Sequence, residues 1–311
     1  MRKLLSFVLA LCLLLTAATA FAEGDQKVIG IIQKNTTDAF HLTINTAAIA
    51  SLDALKAAGT IDDYRLYDGK TDPITQCDLM EMAINEGCDV IIVLPAEAAG
   101  CDPILERGVE AGIPIVVVNS KSNNTDELAA TYVGSDDVFA GELMAKFVQE
   151  KLPEGGGYAH LMGVIGNSAQ IQRTEGIHNI LDEDEKWTML DEQGAEWQGE
   201  KAVKFTGDWL QMYGEELNAI ICDNDDMSSA VKAYCITEGR EDIVCIGVDG
   251  NAGPMAMVAA GELDATVFQD GAGQIRKGIE AAVELLEGKE IEKEYMIPFV
   301  LITLENVNDY I

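Results

Sequence analysis

Val90-Ile91-Ile92-Val93-Leu94 is an unbroken apolar run closed by Pro95. A strand with one wet face alternates apolar and polar residues, whereas a strand buried on both faces reads as a continuous apolar run. Outward from this run the same grammar repeats. Gln76 to Glu86 reads as a helix closed by Gly87, Pro103 to Ala111 as a helix followed by Gly112, and Ile115 to Val118 as the next strand. Upstream, Val28 to Ile32 and Tyr64 to Tyr67 read as strands. Between them, Phe40 to Ala58 reads as a helix with Phe40, Ile44, Ala47, Ala48, Leu52 and Leu55 along one side and Gly59 as its stop.

The pattern then starts again. Tyr158 to Val164, Trp187 to Leu190, Ala219 to Cys222, Ile243 to Val248 and Ala265 to Phe268 read as strands, with helices such as Met227 to Gly239 and Gly253 to Gly261 between them. Strand–helix alternation with strands of this kind implies an α/β fold in which helices cover parallel sheets. The number of units implies two such domains, changing over near Gly134-Ser135-Asp136, with Lys151 to Gly157 as a loop in the second half. A helix over Gln274 to Glu287 is followed by one more expected strand, Ile297 to Leu304. That terminal strand implies discontinuous domains, residues 27–134 with 270–297 and residues 135–269 with 298–311. The chain would then cross near Ser135, near Asp270 and near Pro298.

The N-terminus speaks to location. Arg2 and Lys3, an apolar run from Leu4 to Leu15 broken by Ser6, and Ala20-Phe21-Ala22 before Glu23 follow the order of a secretory signal peptide, residues 1–22, cleaved after Ala22. The run is too short to span a bilayer. Cys12 follows Leu11, not the small residue a lipid-attachment signal needs. The formal net charge is -32, or -34 once Arg2 and Lys3 are gone. Such a surface repels phosphate backbones and argues against a nucleic-acid partner. Six cysteines remain after export: Cys77, Cys88, Cys101, Cys222, Cys235 and Cys245. They contain no C-x-x-C spacing and no nearby His, so neither a zinc site nor any other metal is expected. Several sit inside apolar runs, where thiols pack as small hydrophobes.

In open parallel sheets, ligands bind outside the carboxyl ends of the strands. Asp38, Phe40 and His41 follow the first strand and Asn119 the fourth. In the second half Arg173, Trp197, Asn224, Asp249 and Gln269 follow successive strands. Carboxylates accept, Arg donates in a fixed fork, and Asn and Gln do both, a mixture suited to hydroxyl groups that also do both. Phe40 and Trp197 are flat faces for the apolar C–H side of a sugar ring. Asp249 is expected to accept from two hydroxyls and to pair with Arg173. Singly, each residue has an ordinary explanation: Asp38 as a helix cap, Arg173 as a surface ion pair, Trp197 as packing. Their recurrence at equivalent places in both halves points to a ligand. No catalytic set and no cofactor motif stands out; G-x-x-x-x-G-K-[ST] is absent.

The chain resembles the periplasmic sugar-binding proteins of the ribose and galactose type over nearly all of its exported part. The resemblance rests on Val28-Ile29-Gly30-Ile31-Ile32 with Asp38-Ala39-Phe40, on Arg173-Thr174-Glu175-Gly176-Ile177, and on Asp223-Asn224-Asp225-Asp226-Met227. It rests also on Gly247-Val248-Asp249-Gly250 and Leu263-Asp264-Ala265-Thr266-Val267-Phe268-Gln269. It implies two Rossmann-like domains joined by a three-strand hinge, the type I periplasmic binding protein fold. It also implies capture of a monosaccharide, a hexose or pentose, between them and delivery to an ABC transporter permease. It casts Asp38 as the first-loop polar contact and Phe40 and Trp197 as an aromatic sandwich. Asn119, Arg173, Asn224 and Asp249 become ring-hydroxyl contacts, Gln269 the contact beside a crossover strand, and His41 a replacement for an aromatic. Ser120-Lys121 departs from the ribose type; Asn167 and Ala169 stand where the galactose type has His and Asp, and its calcium loop has no counterpart. Regulators of the lactose-repressor type share the fold but need an N-terminal DNA-binding helix pair where this chain has an export signal. Two rival readings remain: a sensor presenting sugar to a chemoreceptor or kinase, and a glycoside-acting enzyme using paired carboxylates.

Overall fold

A computed structural model describes residues 26–311. The signal-peptide reading, its cleavage after Ala22 and the setting of Cys12 lie outside the described residues.

The first run of elements is β1 (Val28–Gln33), α1 (Ala39–Ala57), β2 (Asp63–Asp68), α2 (Pro73–Asn85), β3 (Val90–Val93), α3 (Asp102–Glu110), β4 (Ile115–Val118), α4 (Thr125–Leu128) and β5 (Thr131–Gly134). The second is α5 (Asp137–Lys151), β6 (Gly156–Met162), α6 (Ser168–Leu181), β7 (Trp187–Gly194), α7 (Gly199–Tyr213), β8 (Leu217–Cys222), α8 (Asp225–Thr237), β9 (Val244–Asp249), α9 (Ala252–Ala260) and β10 (Ala265–Phe268). The chain ends with α10 (Gly271–Leu286), β11 (Glu294–Met296) and β12 (Val300–Ile302). The strands form two six-stranded sheets, ordered β11-β5-β4-β3-β1-β2 and β12-β10-β9-β8-β6-β7, the same order in each. Pairing is parallel except where β12 runs antiparallel to β10.

Burial explains the apolar runs. Every residue of β1, β3, β4 and β9 is buried. Each sheet is covered on both faces, which gives four apolar clusters. A fully buried Ile, Leu or Val contributes about 1.5–3 kcal/mol. α1 turns His41, Ile44, Asn45, Ala48 and Leu52 inward, the spacing of one helical face. α10 follows β10 of the second sheet yet packs on the first. Its Ile275, Ile279 and Ala282 join Ile29, Ile31 and Ile44 in one cluster.

Three expectations need correction. The single terminal strand expected over Ile297 to Leu304 is only the short β12 in the second sheet, and an unexpected strand just before it, β11, joins the first sheet. Pro298 stands between them and has no N–H for a ladder bond. β5, Thr-Tyr-Val-Gly, is a strand without a long apolar run to announce it. β7 runs on to Gly194 through Asp191-Glu192-Gln193, because it is the edge of its sheet and its residues are only partly buried.

A candidate binding site between the two sheets

The carboxyl ends of strands from both sheets meet at one cavity, the place where ligands bind in open parallel sheets. All nine residues singled out from the sequence line it: Asp38, Phe40, His41 and Asn119 from the first sheet's side, Arg173, Trp197, Asn224, Asp249 and Gln269 from the second's. Lys34, Ser120, Asn167 and Ala169 complete the wall. Lys34 gave no sequence signal, since a lysine just past a strand reads as solvated. Here it is buried.

On the first sheet's side, Asp38 caps α1 and accepts from the His41 backbone N–H (2.8 Å). It also accepts from Asn35 Nδ2 (2.6 Å), and His41 Nδ1 lies 2.9 Å from its carboxylate. Burial opposes the charge on Asp38, but these hydrogen bonds outweigh it and hold the carboxyl below its usual range. Burial above all lowers the His41 pKa, against the pull of Asp38. The neutral ring therefore donates from Nδ1 to Asp38 and presents the bare lone pair of Nε2 to the cavity. Asn119, in left-handed backbone (φ 71°), is fixed by its Nδ2 donating to Gln274 Oε1 (3.0 Å) and by Tyr132 OH donating to its carbonyl (2.9 Å). Gln274 in turn donates to Ser135 Oγ (2.8 Å).

On the second side, Arg173 is a buried residue of α6, not a surface pair. The expected pairing with Asp249 is not formed; its partner is Asp137 at the start of α5, with Nη2 2.8 Å and Nε 2.9 Å from Oδ1. Arg173 Nη1 also donates to the Asp223 carbonyl, and Nη2 to Gln269 Oε1 (3.4 Å). Trp197 enters on a strained turn, with Glu196 and Trp197 both in left-handed backbone (φ 55° and 65°). Such residues cost on the order of 1–3 kcal/mol each and cluster where structure serves function. The indole lies against Gly163, where an added Cβ would fall 2.1 Å from the ring. Asn224 caps α8 through Met227 N–H (3.2 Å) and donates Nδ2 to the Trp197 carbonyl (3.3 Å). Its polar atoms thus already hold the Trp197 turn.

The two sides also bond to each other. Asn167 Nδ2 donates to the Ala96 carbonyl (2.9 Å), Ala98 N–H to the Gly166 carbonyl (2.9 Å), and Lys121 N–H to Ser168 Oγ (2.8 Å).

Among the described residues, three buried side-chain nitrogens have no hydrogen-bond partner: His41 Nε2, Trp197 Nε1 and Gln269 Nε2. All three residues line this cavity. Buried polar groups are otherwise nearly always paired, because an unmet one costs about 1–3 kcal/mol. One acceptor and two donors converging on a closed space are a template for hydroxyl groups.

A further layer, which the sequence did not announce, lies behind Arg173. His160 in β6 is fully buried, with Nε2 2.9 Å from Asp223 Oδ1 and Nδ1 3.0 Å from Glu192 Oε2. Asp223 Oδ2 accepts from Gly163 N–H (2.8 Å), beneath Trp197. Burial opposes the His160 charge, but the two carboxylates outweigh it and raise its pKa to about 9. A raised folded-state pKa contributes stability that is complete below the unfolded value of about 6.5 and is lost as pH rises through about 9. Lys34, lowered to about 8 chiefly by burial, acts oppositely and regains stability between about 8 and 10.5. The comparison that isolates His160 is therefore wild type against His160→Gln. Denaturant titrations across pH 6–9 are expected to show the wild type losing its advantage, on the order of 3 kcal/mol. A constant difference would remove the charged His160.

The six described cysteines are free thiols, five of them buried. No helix among the described residues is long and apolar enough to cross a membrane.

A family model described as a periplasmic binding protein domain matches residues 29–290. A putative rhizopine-binding protein of Rhizobium meliloti is 33% identical over 261 residues, covering 81% of this chain and 84% of that relative. The ribose import binding protein RbsB of Bacillus subtilis is 30% identical over 239 residues, 76% of each chain. An ABC transporter solute binding protein of Bacillus halodurans, solved with bound myo-inositol, superposes with a TM-score of 0.86 at 30% identity, covering 93% of this chain and 98% of that one. The match of the family model begins in β1 and ends beyond α10, so it takes in ten of the twelve strands and every residue that lines the cavity, and the chain belongs to the periplasmic binding protein family.

Proposed function

We propose that the protein captures a neutral polyol, a monosaccharide or cyclitol, in the cleft between its two sheets and hands it to an ABC transporter permease. The observation that carries this reading is the convergence of His41 Nε2, Trp197 Nε1 and Gln269 Nε2, buried and unpaired, on one cavity. The relatives support the ligand class: their names and titles record ribose, rhizopine and myo-inositol. The ligand contacts in this reading are the nine residues first singled out, with Asn224 serving mainly to hold Trp197.

The two closing units are residues 27–134 with 270–297, and 135–269 with 298–311. The hinge is the three passages near Ser135, Asp270 and Pro298. Closure brings Trp197 over the ligand and forms the bonds from Asn167, Ala98 and Lys121 across the cleft. Export rests on the signal-peptide reading of residues 1–22. Capture is without chemical change, so chromogenic glycosides are expected to survive incubation with the protein. A chemoreceptor or sensor kinase would read the same closed form, and pull-down with candidate membrane partners separates that role from transport.

The test is a thermal-shift screen of the exported form against pentoses, hexoses and inositols, with amino acids and organic acids beside them. At ~100 times its dissociation constant, a true ligand stabilises by about 2.7 kcal/mol. At least one polyol is expected to reach this. Shifts with amino acids or anions alone would overturn the reading.

A further inference from the structure

His160 and Asp223 are fully buried and line no part of the cavity, yet they stand behind two groups that do. Every polar group of Asp223 is engaged. Its N–H donates to the Leu161 carbonyl (2.9 Å) and its carbonyl accepts from Arg173 Nη1. Oδ2 accepts from Gly163 N–H (2.8 Å), and Oδ1 faces His160 Nε2 (2.9 Å). Two of these bonds lead to the cavity wall. The Trp197 indole rests on the bare backbone of Gly163, where an added Cβ would fall 2.1 Å from the ring. Arg173 directs its fork partly by the Asp223 carbonyl. A displaced Asp223 therefore displaces an aromatic face and a donor fork together.

His160 keeps Asp223 in place. It stands in β6 in register with Glu192 of β7, and its ring spans two carboxylates, with Nδ1 3.0 Å from Glu192 Oε2 and Nε2 2.9 Å from Asp223 Oδ1. A ring that donates from both nitrogens is an imidazolium. Glu192 Oε2 also lies 3.1 Å from His178 Nε2, so the ring is clamped on the side away from the cavity. Among the described residues Asp223 Oδ1 meets no other donor.

We propose that His160 is a positioning residue for ligand capture. By donating from Nε2 it fixes Asp223, and through Asp223 it holds the Gly163 backbone under Trp197 and the carbonyl that orients Arg173. His160 thus adds to the polyol reading, on which this role rests, a residue that touches no ligand. Binding groups need to be held to within about 0.5 Å by the residues behind them. In metal sites the loss of such a supporting partner typically costs roughly 10–100-fold, and the same scale is expected here.

Position and stability separate in a set of four variants. His160→Gln and His160→Asn both lose the imidazolium. The longer Gln side chain brings its amide donor to the place of Nε2, where Asp223 receives it; the shorter Asn reaches only the place of Nδ1, on the Glu192 side. Asp223→Asn keeps an oxygen for Gly163 N–H, and its amide donates to the bare Nε2 of a neutral His160. Asp223→Ala removes both bonds, strands no carboxylate and leaves the carbonyl in the chain.

The experiment is calorimetric titration of the exported form with myo-inositol and D-ribose at about pH 7, with denaturant unfolding of the ligand-free proteins beside it, on wild type and the four variants. For the probe that wild type binds, His160→Asn and Asp223→Ala are expected to bind about ten-fold or more weakly. His160→Gln and Asp223→Asn should recover to within about three-fold of wild type, because the bonds at residue 223 persist. They should do so although the imidazolium's contribution to stability is gone from both. Affinity then follows the hydrogen bonds at residue 223 and not the stability of the fold. Should His160→Asn fail to fold, Asp223→Ala breaks the same bond without a stranded charge. If wild type binds a probe and the breaking variants bind it equally, or if affinity falls only in step with stability across the set, His160 serves the fold alone and the polyol reading stands. If wild type binds no polyol, the polyol reading itself fails and takes this role with it.

Discussion

Arg173→Met is expected to lower the stability of the protein by about 3–5 kcal/mol and to abolish measurable polyol binding. Arg173 and Asp137 are both buried and face each other at 2.8 Å. Burial raises the Asp137 pKa, and Arg173 is the largest influence holding it down. Taking the guanidinium away leaves a carboxylate in a dry interior, and breaking a buried pair by removing one partner typically costs about 3–5 kcal/mol. The two helices that carry the pair are packed closely. α5 and α6 meet at Gly141 and Gly176, where an added Cβ would fall 2.2 Å from the Arg173 carbonyl and 2.0 Å from the Val138 carbonyl. The double variant Arg173→Met with Asp137→Leu removes the stranded charge as well. Its stability is expected to return to within about 1 kcal/mol of wild type, as replacing a whole buried pair by apolar residues is often neutral. Its affinity is not expected to return, since Gln269 and the Asp223 carbonyl lose the group that orients them. Denaturant unfolding and calorimetric titration on both variants decide the matter. A single variant that loses less than about 1 kcal/mol would mean the pair is not buried.

The sequence carried the fold because burial on two faces leaves a direct trace. Val90 to Val93 or Val244 to Val248 admit no alternation, and the glycines after them stop the helices at the expected places. The site was legible for a related reason. In both sheets the polar residues that interrupt an apolar run do so at its carboxyl end, so reading one end of each strand collected nine of the thirteen cavity residues. What stayed hidden depends on pairs far apart in the chain. Asp137 is 36 residues from Arg173, and His160 is 63 from Asp223. Each looks ordinary where it stands, and only the fold brings the pair together. The failure at Arg173 and Asp249 is of this kind, since two complementary charges at the same edge of the sheet, one on α6 and one closing β9, were matched while the true partner lay on α5. Edge strands were missed for another reason. β11 and the end of β7 have one open side and one neighbour, so their residues need not be apolar.

Asp249→Gly is expected to move stability and affinity in opposite directions. Asp249 closes β9 with φ 138°, a region an L side chain rarely adopts, and such backbone costs on the order of 1–3 kcal/mol. Glycine removes the strain at a conformational-entropy cost of about 0.5–1 kcal/mol. It also removes a carboxyl that burial, and then repulsion from Asp225, has pushed well above the usual range. The turn itself should persist. Asp225 holds it independently, accepting from Gly250 N–H (2.8 Å), Asn251 N–H (3.0 Å) and Thr266 Oγ1 (2.6 Å). The ligand-free variant is therefore expected to be more stable by about 1 kcal/mol. Binding should weaken roughly thirty-fold or more. The Asp249 carboxyl receives one protein hydrogen bond, from Asn251, and its remaining capacity faces the cavity. Two ligand hydroxyls left unmet there lose about 1–3 kcal/mol each, and about 1.4 kcal/mol is ten-fold in affinity. Asp249→Ala separates the two effects, because it loses the same ligand contacts but keeps a Cβ at the strained φ. It should match Asp249→Gly in affinity and fall below it in stability. A role for Asp249 as a mere helix cap predicts the reverse, unchanged affinity and lower stability. The structure already gives that cap position to Asn251 at the start of α9. Unfolding curves and calorimetric titrations on the two variants settle the point, and unchanged affinity in both would take Asp249 out of the binding site.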